Sequence, residues 1–146
     1  MDIKIDYKVR QLNNILCEID SIYQMLLQNK NISDSEYAII FAILGLGEGC
    51  LQKEIAEISY ISKKTINTTI KKFERDNIIE LKAGKYPNMH IYFTDTGKKF
   101  IQDHIIPLIE IENKFMENIP DEEFERFSGL YEKYMSKFKN YLGKIK

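Results

Sequence analysis

Apolar residues recur at helical spacing from the start of the chain. Ile5, Val9, Leu12, Leu16, Ile19, Tyr23, Leu26 and Leu27 fall every three or four positions, which predicts a long amphipathic helix over about residues 5–29. "NKNIS" breaks it. Ser33, with Glu36 three positions later, forms a capping box that opens a second helix over about 34–46. Its run "YAIIFAIL" is apolar nearly all round, so this helix is expected at the centre of the core, with Gly45, Gly47 and Gly49 ending it. A short helix over about 51–58 follows, with Leu51, Ile55, Ala56 and Ile58 expected to face inward.

A tight turn, "SYI", leads into "ISKKTINTTIKKFERD" at residues 61–76, where Ser62 is placed to cap a helix. At 100° per residue Ile66, Thr69, Ile70 and Phe73 share one face of it. Lys64, Thr68, Lys71 and Arg75 share the opposite face, with Asn67 and Lys72 flanking them. After Asn77 the apolar period shortens to about two. "IIELKA" and "HIYFT" read as two strands of a hairpin, joined by the turn-rich "GKYPNM". Thr94 caps a further helix over about 95–117, in which Pro107 marks a kink or a split. Pro120 and the acidic "DEEFE" open a last helix, about 121–142, with an aromatic stripe of Phe124, Phe127, Tyr131, Tyr134, Phe138 and Tyr141.

The order is therefore α-α-α-α-β-β-α-α, a mainly α (α+β) fold. Two short helices joined by a tight turn form a helix-turn-helix, and the hairpin behind them makes it winged. Ala56 is the small residue expected where the two helices cross, facing Ile66 ten positions later. We read residues 1–146 as one domain, with a winged lobe at 33–97 and dimerisation helices at 1–32 and 98–146. The dimer is expected because the end helices carry more apolar residues than one chain can bury, and an exposed aromatic stripe invites aggregation.

Charge sharpens this picture. The chain's formal charge is −1, but residues 50–99 carry ten Lys or Arg against six Asp or Glu, and the flanks carry eleven against sixteen. A basic middle between acidic ends suits a polyanion that touches only the middle. Lys pairs with phosphate or guanine, Asn with adenine, and Thr with a thymine methyl or a phosphate. The expected DNA-binding set is Ser62, Lys63, Lys64, Thr65, Asn67, Thr68, Lys71, Lys72, Arg75, and Lys82 and Lys85 of the hairpin.

Other classes find little support. "GLGEG" is followed by Cys-Leu-Gln rather than Lys-Ser/Thr, so no phosphate loop of the nucleotide-binding kind is expected. His90 and His104 are isolated, and no metal or other cofactor is expected. The longest apolar run, Tyr37 to Gly47, is about half what a bilayer span requires. The opening "MDIKIDYK" lacks a signal-peptide core, and two cysteines are too few for a disulfide framework. The expectation is a cytoplasmic, non-enzymatic protein with no membrane partner.

"QKEIAEISYISKKTINTTIKKFERDNII…FTDTGKKF" resembles the MarR family of bacterial transcriptional regulators, whose run has the form "QKELAELLGISKSTVTRLVDRLEKKGLV…LTEKG". The recognisable motifs span about residues 33–101. The resemblance implies an obligate homodimer with interlocking terminal helices and two lobes on a pseudo-palindromic double-stranded DNA operator, usually as a repressor. It also implies control by small phenolic or lipophilic effectors or by cysteine oxidation. Tyr7, Tyr23, Tyr37, Phe41 and His104 are the candidate effector-pocket residues, and Cys17 is the candidate oxidant sensor.

Three departures stand out. Tyr60 occupies the turn where the family often has Gly at positive φ, so a reshaped turn is expected. The wing's usual Asp-x-Arg falls on Lys85, Tyr86 and Pro87, leaving Lys85 or Lys82 to stand in for the Arg. Thr68 stands where an Arg is common. These departures keep a second reading open, a winged-helix protein-interaction module that has lost DNA binding.

Overall fold

The computed structural model describes residues 4–28, 30–84 and 89–145. Two compact units divide the chain, Met1–Leu108 and Ile109–Lys146.

The first unit begins with α1 (Tyr7–Leu27), N-capped by Asp6, whose side chain accepts from the Lys8 amide at 2.8 Å. Only Leu27 of α1 is buried. The helix α2 (Asp34–Leu46) starts at the capping box expected from sequence. Ser33 Oγ accepts from the Glu36 amide at 3.3 Å, and Glu36 Oε2 accepts from the Ser33 amide at 2.9 Å. Ile39, Ile40 and Ile43 are fully buried, so α2 does run through the core. Its apolar character is not buried all round, however. Phe41 and Leu44 lie on an exposed side. Within this unit α2 is covered on part of its circumference only. Gly47 ends α2 at φ +90°.

The next two helices are α3 (Gln52–Ser59) and α4 (Lys63–Arg75). Ile55 of α3 is fully buried and Ala56 half-buried, but Ile58, expected inward, is exposed. Eight residues make about two turns, and only one stripe of them meets the core. Tyr60 adopts the left-handed conformation, φ 56° and ψ 14°. The expected reshaping of the turn is therefore corrected. Tyr60 keeps the backbone that a Gly would supply, and the residue is 83% exposed. Ser62 caps α4 by accepting from the Thr65 amide at 3.1 Å. Ile66, Thr69, Ile70 and Phe73 are buried, the face predicted from the wheel.

Strands β1 (Ile79–Ala83) and β2 (Met89–Phe93) pair antiparallel, Ile79 opposite Phe93 and Ala83 opposite Met89. The Gly49–Cys50 segment lies along β2. Gly49 donates to the Ile91 carbonyl at 2.7 Å, and the Ile91 amide donates to Cys50 at 3.0 Å. His90 joins this seam through Nδ1 and the Gly49 carbonyl. A carbonyl can only accept, so Nδ1 carries the proton.

Thr94 caps α5 (Asp95–Phe100), accepting from the Gly97 amide at 2.9 Å. Gly97 is required there, because a Cβ would stand 1.8 Å from the Ile78 carbonyl oxygen. The single helix expected over 95–117 is three segments. A π-helical turn, Ile101–Ile105, joins α5 to α6 (Ile106–Met116). In it the Ile106 amide bonds back five residues to Ile101. Pro107 follows at once, has no amide to donate, and would press its ring on the carbonyl four residues back. Widening the preceding turn accommodates it.

The second unit holds the remainder of α6 and α7 (Asp121–Leu142). No residue of α7 is buried, and its aromatic stripe is exposed throughout. No helix among the described residues is long and apolar enough to cross a membrane.

Candidate nucleic-acid interface

The interface is built on α4. Its buried face fixes the helix against the core, and its opposite face projects from the lobe. The side chains of Lys64, Asn67 and Lys71 are exposed there and make no hydrogen bond or ion pair among the described residues. Lys63 is likewise exposed and unpaired. Thr68 is exposed and spends its proton on its own helix, Oγ1 donating to the Lys64 carbonyl at 3.0 Å, which leaves its oxygen free to accept. Ser62 and Thr65 share their hydroxyls across the cap at 2.8 Å.

Three cations of the predicted set are engaged within the chain. Lys72 pairs with Glu36 of α2, across 36 positions of sequence. Burial pushes the Glu36 carboxyl up. Hydrogen bonds from Lys72 and Ser33, with the nearby Lys72 charge, outweigh that and hold it below the ordinary carboxylate value. Lys72 therefore locks α4 to α2. Arg75 Nε lies 3.1 Å from Asp76 Oδ1, an exposed contact that an incoming phosphate can displace. Lys82, on β1, bonds Glu80 at 2.7 Å and sits 4.8 Å from the centre of the Tyr92 ring. The Glu80 hydrogen bond raises its ammonium pKa. Lys85 lies outside the described residues.

The candidate effector residues lie on α1, α2 and the π-helical turn. Tyr37 is buried in the core, its ring 6.1 Å from that of the exposed Phe41. His104 is half-buried against Phe100, ring centres 5.0 Å apart. Tyr7 and Tyr23 project from α1. A groove of about 350 Å³ opens beside Ile43, Leu44, Phe93, Lys98, Ile101 and Ile106, and none of the five candidates lines it. Cys17 is exposed, with its sulfur 3.7 Å from Asn13 Nδ2. Cys50 is buried, and burial, then the Glu54 charge, pushes its thiol pKa up.

Sequence reasoning passed over Gln52 and Lys53. They line a pocket of about 170 Å³ with Lys63 and Ile66, between the starts of α3 and α4. The signal was present in "LQKEIAEI", where the polar residues at the helix start drew less weight than the apolar stripe.

Two crossed short helices, a hairpin behind them and a basic outward face define a winged helix-turn-helix lobe. Residues 30–85 match the model of the MarR family. The chain superposes on NMB1585, a MarR family regulator from Neisseria meningitidis, with a TM-score of 0.85 at 17% identity, covering 97% of this chain and 100% of that one. It also matches a MarR/EmrR family transcriptional regulator from Acinetobacter sp. ADP1, with a TM-score of 0.70 at 22% identity, covering 94% and 99%. A third match is BpsR of Bordetella bronchiseptica, with a TM-score of 0.65 at 13% identity over 86% and 98%, in a structure concerned with regulation of its DNA binding by 6-hydroxynicotinic acid. No curated protein matches the chain. The chain thus has the fold of MarR family transcriptional regulators, and the part that matches the family's model is residues 30–85.

Proposed function

We propose that the protein is a sequence-specific regulator of transcription that binds double-stranded DNA as a homodimer on a pseudo-palindromic operator. The observation that carries this reading is the outward face of α4, where the side chains of Lys64, Asn67 and Lys71 are exposed and unpaired among the described residues, with Lys63 exposed at the start of the helix. An α-helix with its side chains is about 10–12 Å across, and the major groove is about 12 Å wide. Lysines on that helix meet phosphates or guanine, and Asn67 offers both donor and acceptor to an adenine edge. Repression follows if the bound dimer covers promoter DNA, and the cytoplasm is where a bacterial operator is reached.

The second copy is supported by α1 and α7. Val9, Leu12, Leu16 and Ile19 on the first, and the aromatic stripe on the other, are exposed in the single chain. Surfaces of that kind are covered in stable proteins. A small lipophilic or phenolic effector fits the same reading, as BpsR answers to 6-hydroxynicotinic acid.

An electrophoretic shift with duplex from the chain's own upstream region tests the function. Binding is expected at low salt, weakened on every duplex by Lys71→Ala. Asn67→Ala should relax the preference at one base pair per half-site, by about 1–3 kcal/mol. A folded dimer that shifts no duplex at low salt overturns the proposal in favour of a protein-interaction module.

A further inference from the structure

The cations along α4 differ in what holds them. Lys63, Lys64 and Lys71 have no ion pair among the described residues. Arg75 meets Asp76, whose side chain is 37% exposed, so water takes over that carboxylate when a phosphate draws the guanidinium away. Lys72 stands apart. Its partner Glu36 has a side chain only 10% exposed and belongs to another helix. The Glu36 carboxylate is also fixed in place. Oε2 accepts from the Ser33 amide at 2.9 Å, in the capping box of α2, and Oε1 accepts from Lys72. Against the pull of burial, the bonds from Lys72 and Ser33 keep it an anion at neutral pH. Ile40, Phe73 and Phe100 line the small pocket beside the pair, so a Glu36 stripped of its cation faces mostly apolar surface. The Lys72 side chain is 44% exposed and follows directly on Lys71, at the flank of the outward face.

We propose that Glu36 is an internal stand-in for a DNA phosphate, which withholds Lys72 from the backbone and so sets the affinity and salt range of DNA binding. The inference rests on the DNA-binding reading above. Glu36 touches no DNA itself and acts through Lys72. A backbone phosphate that captured Lys72 would leave a buried carboxylate without its cation, and that penalty makes the phosphate lose the competition. Asp76, one helical turn beyond Lys72, is no such trap, because it is exposed and already shared with Arg75. Every phosphate contact adds sequence-independent attraction. Holding one lysine back in each lobe lowers that attraction and leaves base readout to Asn67 and Lys71.

Glu36→Gln isolates the charge, because Gln at the third helical position still completes a capping box while offering Lys72 no anion. Folding is checked by circular dichroism and urea unfolding. Affinity is measured by fluorescence anisotropy on the upstream duplex and on a scrambled duplex, between about 50 and 200 mM salt. Glu36→Gln should bind both duplexes more tightly than wild type by the same factor. Its log–log salt slope should be steeper by about 2, one freed lysine in each lobe of the proposed dimer at ~0.9 apiece. Its advantage over wild type should therefore be about tenfold larger at the low-salt end than at the high-salt end. Lys72→Gln should keep the wild-type slope. The double variant Glu36→Gln, Lys72→Gln, which leaves no unpaired charge, should return to it and carries the comparison if Lys72→Gln folds poorly. A folded Glu36→Gln with the wild-type slope overturns the proposal and leaves the function intact. So does a steeper slope that persists in the double variant, or a slope flattened by about 2 in Lys72→Gln, which would mean that DNA already takes Lys72. Failure of the wild-type chain to bind either duplex overturns both.

Discussion

Replacing Lys72 with Met removes an ammonium and keeps most of the aliphatic stem. Glu36, the partner, is buried and keeps its capping-box bonds to Ser33 but loses its cation. Breaking a fully buried pair from one side costs about 3–5 kcal/mol. Here the Lys72 side chain is 44% exposed, so water already shares in solvating it and reaches the carboxylate once the ammonium is gone. That discount brings the expected loss at pH 7 to about 1–2 kcal/mol.

The loss has a definite pH dependence. Glu36 has its folded pKa held below the ordinary value, so its contribution is present above the unfolded carboxylate pKa and is lost as pH falls through the folded one. In Lys72→Met burial is no longer opposed by the ammonium, and the carboxylate is the species penalised. The gap between wild type and variant should therefore narrow as pH falls through the ordinary carboxylate range, where the variant's Glu36 protonates first, and close below the depressed folded pKa of the wild type. Urea unfolding at fixed protein concentration, at pH 7 and near pH 3.5, measures it, because a dimer's midpoint depends on concentration. A variant as stable as wild type at pH 7, or equally weakened at both pH values, refutes the reasoning. The same variant should disturb DNA binding less than Lys71→Ala, since Lys72 is committed to Glu36.

Three further outcomes follow from the fold. Gly97→Ala should cost about 2 kcal/mol or more in urea unfolding, because its Cβ meets the Ile78 carbonyl rather than a movable side chain. Tyr60→Gly should stabilise by about 0.5–1 kcal/mol by relieving a left-handed backbone at a residue that is 83% exposed, and a loss would mean that the side chain contributes more than this exposure indicates. Phe127→Glu on α7 should shift the sedimenting species toward the 17.2 kDa monomer, whereas an unchanged dimer would place the interface elsewhere.

Local rules carried much of the reading from sequence. Ser33 with Glu36, Ser62 and Thr94 each cap the helix that the spacing assigns to them, since a cap depends on three or four neighbouring residues. The wheel of α4 was legible for the same reason. Features set by distant partners were not. Lys72 reads as one more cation on a basic helix until Glu36, far back in the chain, is seen beside it. Lys82 is similar, with Tyr92 supplied by the opposite strand. Periodicity showed which stripe of α3 or α2 is apolar, but not how much of it finds cover, and so misplaced Ile58 and Phe41. Pro107 announced a disturbance, and its form, a π-helical turn before it, is a packing outcome. The pocket of Gln52, Lys53 and Lys63 joins residues a turn and a helix apart, where no spacing rule applies.

The most direct measurement of the central claim is anisotropy of the upstream duplex against salt, for wild type and for the double variant Lys64→Ala, Lys71→Ala. In the proposed dimer Lys63, Lys64 and Lys71 of each lobe, unpaired among the described residues, give six cations, and hence a log–log slope of about −5 or steeper for the wild type. The double variant removes four of them and should flatten the slope by about 3 to 4. A folded dimer that binds nothing at 50 mM salt, or that binds equally well without Lys64 and Lys71, contradicts the account.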